Sequence, residues 1–249
     1  MAGALGAAAA GAGGAYLALL GRRPFWGSGA LKCAPAVLLA GACVRAPGAG
    51  GAGGGHTRGL VAAGLLLSAG GDVALEIDSG ARAGGGSAMF LAGLGFFLAA
   101  HICYVAAFAR GAPASTSALS PQKWAACAAT AVFACGFVGV LWGDLGAAMR
   151  APVAAYATAL AAMAVTAVVH EAGPGHLTRI LGAYLFVASD SLLGLRQFKF
   201  RGAPPGGMAY ELAVMSTYFG AQTLIARALL VDAASAEGGK KQEGGKKRR

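Results

Sequence analysis

Eight apolar runs, each near the length that crosses a bilayer, leave this chain few ways to fold. Their approximate limits are residues 1–20, 30–45, 59–78, 88–109, 123–142, 150–170, 177–196 and 209–231. A helix rises 1.5 Å per residue, so roughly 20 residues cross ~30 Å of hydrocarbon. The second run is short and has to extend or tilt. The first, MAGALGAAAAGAGGAYLALL, could pass for a signal peptide but lacks a basic leading segment, and is read as a span. The expected fold is all-α: a polytopic membrane helical bundle of about eight transmembrane helices.

Composition agrees. The chain is 57% hydrophobic and only 12% charged, where a soluble domain carries about 25% charged residues. Its 42 glycines suit close helix–helix approach in lipid. The connections, such as APGAGGAGGGHTR and DSGARAGGGS, are too short to hold a soluble domain. All chemistry must come from the helices and their ends. Residues 1–232 are read as a single transmembrane domain and 233–249 as a basic, disordered, cytosolic tail.

The net charge of +10 is unevenly placed: six of the 20 basic residues lie in the last ten positions, KKQEGGKKRR. No soluble domain carries this segment, so nucleic acid is a poor partner, and attraction to anionic lipid is the better reading. Lys246 and Lys247 resemble the dilysine retrieval signal of endoplasmic-reticulum membrane proteins; a generic basic tail is the alternative. The short loops give little orientation signal. Those after odd spans hold Arg22, Arg23, Arg82, Arg150, Arg196, Lys199 and Arg201. Those after even spans hold Arg45, Arg58, Arg110, Lys123 and Arg179. The five cysteines show no metal-binding spacing and read as small buried hydrophobes.

Against this apolar background two carboxylates stand out. Asp72 lies in LLLSAGGDVALEI and Asp190 in GAYLFVASDSLLGL, each about two-thirds along its run. An ionisable group at such depth costs at least ~2.5–3.5 kcal/mol on insertion scales and marks a candidate functional site. Four spans separate them, as in a 4+4 parallel repeat, so both reach similar depth. Glu76 shares the face of Asp72 one turn later but reads as interfacial. Asp78 and Glu211 read as solvated span ends, Arg227 as a snorkelling side chain, and His170, beside Glu171, as interfacial. His101, deep in FFLAAHICYVAAF, is either a buried core histidine or a partner for a carboxylate. Tyr218 and Gln222 share one face of the last span, where interhelical hydrogen bonding is the plainer role. Two carboxyls in one desolvated site can divide acid and base roles between them. The residues alone leave an enzyme and a proton- or solute-coupled transporter level.

Taken together these segments resemble the lysoplasmalogenase (TMEM86/YhhN) family of multispan membrane proteins. The resemblance is carried by LKCAPAVLLA with Lys32 and Pro35, by Gly71–Asp72, and by the inward His101. It continues in PVAAYATALAAMAV with Pro152 and Tyr156, in Ser189–Asp190–Ser191, and in MSTYFGAQTLIARALL with Tyr218 and Gln222. It implies hydrolysis of the vinyl ether bond of a lysoplasmalogen, giving a fatty aldehyde and glycerophosphoethanolamine or glycerophosphocholine. Neither a metal nor an organic cofactor is implied. Asp72 and Asp190 would be catalytic, with His101, Tyr218, Gln222, Lys32, Ser189 and Ser191 supporting them or binding the lysophospholipid. Vinyl ethers hydrolyse under acid catalysis, which suits such a pair. The more apolar flank of Asp190 (Leu185, Phe186, Val187) favours it as the acid. Lys32 or Arg196 is placed to meet the phosphate, though each also reads as a flanking anchor. A non-catalytic lipid-binding relative is the remaining alternative.

Overall fold

The computed structural model describes residues 2–22, 27–46, 54–80, 88–113, 119–170 and 173–246, the side chains at 79–80 and 239–246 excepted. Arg23, Arg82, Glu171, the side chains of Lys240, Lys241 and Lys246, and the tail from Lys247 to Arg249 therefore lie outside the described residues. Eight α-helices and no strand occur among those described: α1 (Ala2–Leu19), α2 (Ser28–Val44), α3 (Gly54–Gly80), α4 (Ala88–Ala109), α5 (Pro121–Trp142), α6 (Ala147–Val169), α7 (His176–Gly194) and α8 (Met208–Lys246). A 3₁₀ turn, Leu20–Arg22, extends α1, and a π-helical turn, Leu195–Lys199, extends α7. Helices satisfy every interior backbone bond locally, the condition for crossing hydrocarbon. Seven of them are long and apolar enough to do so. The exception is α2, whose 17 residues reach about 26 Å. At the other extreme, α8 continues past residue 232 into the segment set apart above as a tail.

The helices pack in chain order within each half: α1 on α2, α2 on α3, α3 on α4, then α5 on α6, α6 on α7, α7 on α8. Between halves α4 packs on α6, and α2 on α8. Adding four to each helix number maps this order onto itself. Two pairs break the correspondence. α1 touches α8, but α4 and α5 do not pack to a comparable extent. α3 also touches α8, but α7 and α4 do not pack to a comparable extent. α5 is held by α6 and the π turn, and its Trp124, Val132, Phe133, Val140 and Trp142 remain exposed to the surroundings.

Glycine sets the tightest approaches. A Cβ on Gly71 of α3 would sit 2.6 Å from the Phe97 ring of α4. One on Gly182 of α7 would meet the Ile225 backbone nitrogen of α8 at 3.0 Å. Small residues thus bring together the two helix pairs that carry the aspartates, as lipid-embedded bundles require. The core between them holds Tyr16, Leu65, Tyr104, Phe186 and Ile225, all essentially inaccessible.

Three expectations change here. Of the five cysteines only Cys43 is buried, and Cys135 is exposed. Glu76 and Asp78 are buried rather than interfacial or solvated. The first turn of α2 covers Glu76: the Ser28 hydroxyl donates to it at 2.7 Å, and Gly29 closes over its stem. A carboxylate near a span end can stay inside when a neighbouring helix supplies its donor.

Candidate active site

Each aspartate heads its own buried cluster. Asp72 Oδ1 lies 3.5 Å from the Lys32 ammonium of α2. Its Oδ2 accepts the Tyr218 hydroxyl of α8 at 2.7 Å. Gln222, one turn further along α8, donates from Nε2 to that hydroxyl oxygen at 2.7 Å. Asp72, Lys32, Tyr218 and Gln222 are all buried, so the carboxyl and the lysine face one another inside the bundle, with a polar chain fixing their orientation.

Asp190 is built differently. Its Oδ2 accepts the Tyr156 hydroxyl of α6 at 2.5 Å and lies 3.3 Å from His101 Nε2 of α4. His101 Nε2 is also 3.0 Å from the Tyr156 oxygen. No Lys or Arg pairs with Asp190 among the described residues. The other ring nitrogen, His101 Nδ1, is buried without a partner. Nε2 is thus the ring nitrogen that meets both Asp190 and Tyr156. One carboxyl therefore sits beside a lysine, and the other sits between a tyrosine hydroxyl and an imidazole.

The clusters correspond across the two halves. Asp72 on α3 takes partners from α2 and α8; Asp190 on α7 takes them from α6 and α4. Asp72 and Asp190, His101 and Tyr218, and Pro35 and Pro152 have the same separation in sequence to within one residue. Between the clusters stands the Phe186 ring, 4.9 Å from His101 and 5.6 Å from Tyr218, edge-on to both.

Both aspartates open onto one cavity of about 580 Å³. Lys32, Tyr218 and Ser189 line its inner wall, and Asp144, Arg196, Arg201 and Glu211 line it toward the helix ends. A second, narrower space of about 80 Å³ runs from Asp190 between α4, α5, α6 and α7. Its walls are apolar, with Leu94, Phe133, Phe137, Ala157, Leu160 and Ala161 among them. Asp190, Phe90, Phe97 and Phe198 belong to both spaces, so Asp190 stands where a polar chamber meets an apolar slot.

Of the residues singled out in the sequence, Lys32, Asp72, Tyr218 and Gln222 come together in one cluster, and His101 joins Asp190 in the other. Ser189 lines the chamber, but its hydroxyl donates to the Val214 carbonyl at 3.1 Å and ties α7 to α8. Ser191 faces the slot. Arg196 is committed to Glu211 at 2.8 Å, and Lys32 to Asp72. Arg201 is the chamber cation without an ionic partner among the described residues. Tyr156 was quoted only for the resemblance and not as a site residue, yet it makes the shortest contact to Asp190. Its one signal was a hydroxyl in the middle of a span. No group of three or more His, Cys, Asp or Glu side chains arranged to hold a metal occurs among the described residues.

An all-helical membrane bundle with two unlike carboxyl clusters on one chamber is the class of protein these features define. A family model described as the YhhN family matches residues 28–229, which include every site residue from Lys32 to Gln222. A lysoplasmalogenase of Mycobacterium bovis is 36% identical over 197 residues, or 79% of this chain and 67% of its own length. A Mycobacterium tuberculosis protein of the same name gives the same figures. Lysoplasmalogenase TMEM86B of Sus scrofa is 32% identical over 203 residues, or 82% of this chain and 75% of its own. No solved structure matches. The chain belongs to the YhhN family.

Proposed function

We propose that this protein is a lysoplasmalogenase, a hydrolase that opens the vinyl ether bond of a single-chain phospholipid inside the membrane. The observation that carries the reading is the position of Asp190 at the junction of chamber and slot. In a lysoplasmalogen the vinyl ether lies at the same kind of boundary, between a polar glycerophosphate and a long hydrocarbon chain. The chain enters the slot along α5, the headgroup stays in the chamber, and the phosphate meets Arg201, the chamber cation not already paired. The family resemblance and the names of the relatives point to the same substrate.

Asp190 transfers its proton to the alkene carbon beta to oxygen, and the C=C pair forms the new C–H bond. Positive charge develops on the adjoining carbon and the ether oxygen, as in the oxocarbenium-like transition states of glycosidases. The Asp190 carboxylate left behind, hydrogen-bonded by Tyr156 and His101, faces that cation. Water adds to the carbon; Asp72, held by Lys32 and Tyr218, takes its proton. The hemiacetal then collapses: Asp72 protonates the leaving glycerol oxygen, the Asp190 carboxylate takes the hemiacetal O–H proton, and the products are a fatty aldehyde and a glycerol hydroxyl with both carboxyls restored. General acid–base help of this kind contributes typically ~10²–10⁴-fold.

The test is aldehyde release from a 1-alkenyl lysophospholipid by purified protein, followed by mass spectrometry. Wild type is expected to release aldehyde and Asp190→Asn to lose nearly all of it while keeping its fold. An inert wild type, or an Asp190→Asn protein turning over normally, would sink the proposal. Residence in the endoplasmic reticulum rests on the dilysine-like tail alone; relocalisation on Lys246→Ser/Lys247→Ser substitution is its test.

A further inference from the structure

The opposite end of the bundle carries a second polar cavity, of about 420 Å³, that the proposed reaction does not use. It lies at the start of α3 and α7 and the end of α4, whereas the chamber lies at the other ends of those helices. Three arginines line it: Arg58 from α3, Arg110 just past α4, and Arg179 from α7. One carboxylate, Asp232 of α8, faces them among the described residues.

Arg179 is the informative member. It is 5% exposed. Its Nη2 pairs with Asp232, whose second oxygen is already taken by the Gly175 N–H at 2.8 Å. The guanidinium carbon sits 5.8 Å from the centre of the Phe108 ring. Its Nη1 is buried with no acceptor. A charged donor left without a partner inside a bundle costs free energy that a ligand oxygen would recover. Arg110 is exposed at the cavity's edge and has no ionic partner among the described residues. Arg58 is held in place by its bonds to the Gly54 and Ala46 carbonyls. Two helix N-termini, those of α3 and α7, add their positive ends to the same region.

We propose that this cavity binds a phosphate group. Guanidinium forks match tetrahedral oxyanions, and the open Nη1 of Arg179 beside Arg110 leaves room for one. The phosphate belongs either to a phospholipid headgroup or to a free anion. Ile225, Leu229 and Phe108 on the same wall offer apolar contact that a lipid uses and free phosphate does not. A basic pocket between spanning helices is a recurrent way to hold an anionic headgroup. This site is independent of the lysoplasmalogen reading, and its test does not measure hydrolysis.

Full-length protein in detergent micelles is titrated with phosphatidylglycerol, and separately with inorganic phosphate. Bound adducts are read by native mass spectrometry and stabilisation by thermal shift. Wild type is expected to retain phosphatidylglycerol, with Arg110→Gln weakening retention about tenfold and Arg179→Gln at least as much. Arg110 is exposed, so its variant carries the test even where Arg179→Gln fails to fold. Arg45→Gln, outside the cavity, should leave retention unchanged. Binding of phosphatidylglycerol alone assigns the site to a lipid. Stabilisation by inorganic phosphate that Arg110→Gln abolishes assigns it to a free anion. Equal retention in wild type, Arg110→Gln and Arg45→Gln, or binding of neither probe, overturns the proposal.

Discussion

Asp72→Asn removes a charge without changing shape, and its effect can be worked out from the Lys32 contact. The ammonium and carboxylate are 3.5 Å apart, with side chains 8% and 2% exposed. At an effective dielectric of ~20 their attraction is about 5 kcal/mol. Asn still accepts the Tyr218 hydroxyl, so the loss falls on Lys32, left buried beside a neutral amide. Breaking one partner of a buried pair typically costs ~3–5 kcal/mol, whereas replacing both by apolar groups is often near neutral. Asp72→Asn is therefore expected to lower the unfolding midpoint in detergent by on the order of 10 °C, taking ~2–4 °C per kcal/mol. Lys32→Met added to Asp72→Asn should recover most of that loss. Neither protein is expected to release aldehyde, since both lack the proposed base. The assay is a thermal shift alongside aldehyde release. A single variant as stable as wild type, or a double variant no better than the single, would refute the argument that Lys32 is held as a cation by Asp72.

Asp190→Asn, by contrast, leaves no lysine or arginine stranded; it should keep its unfolding midpoint within a few degrees while aldehyde release falls by ~10²–10⁴-fold. Tyr156→Phe removes one hydrogen bond to the carboxyl and should slow turnover by ~10–100-fold, with a wild-type rate ruling out any role for that hydroxyl. Ala157→Phe fills the slot beside Asp190; a fall in turnover of long-chain substrates relative to short-chain ones is expected, and equal loss across chain lengths would show that the chain lies elsewhere. Gly182→Val drives a side chain into the α8 backbone and should cost ~1–3 kcal/mol by overpacking, readable as a lowered unfolding midpoint.

The bundle was legible because its signal is long and redundant: each span repeats one statement about hydrophobicity over some twenty positions. Asp72 and Asp190 were legible for the opposite reason, as single violations of that statement. Their supporting residues were harder to rank. Tyr156 tolerates both lipid and water, so a tyrosine within a span does not announce whether its hydroxyl has a carboxyl to bind. Ser189 lines the chamber together with Asp190, but its hydroxyl is spent on the Val214 carbonyl of α8, a partner that sequence does not show. Glu76 was misread because helix position along the membrane was taken as exposure, while Ser28 from another helix decided the matter. Arg179 and Asp232 gave no signal, because nothing local ties two residues on different helices together. The slot was invisible for the same reason: its walls are ordinary apolar side chains, and only their mutual placement makes a space.

The correspondence between α1–α4 and α5–α8 has a consequence for how the two aspartates came to differ. A structure that maps onto itself in this way is what fusion of two identical four-helix protomers would leave behind. In such an ancestor the two carboxyl clusters are the same, and only the placement of a proton could set one apart from the other. Only after fusion can Lys32 persist on one side and His101 on the other. The weak α4–α5 packing is a further departure, and the apolar slot lined by α5 lies beside Asp190. Broken symmetry, rather than a proton alone, would then fix which carboxyl plays which part in the reaction proposed for this bundle.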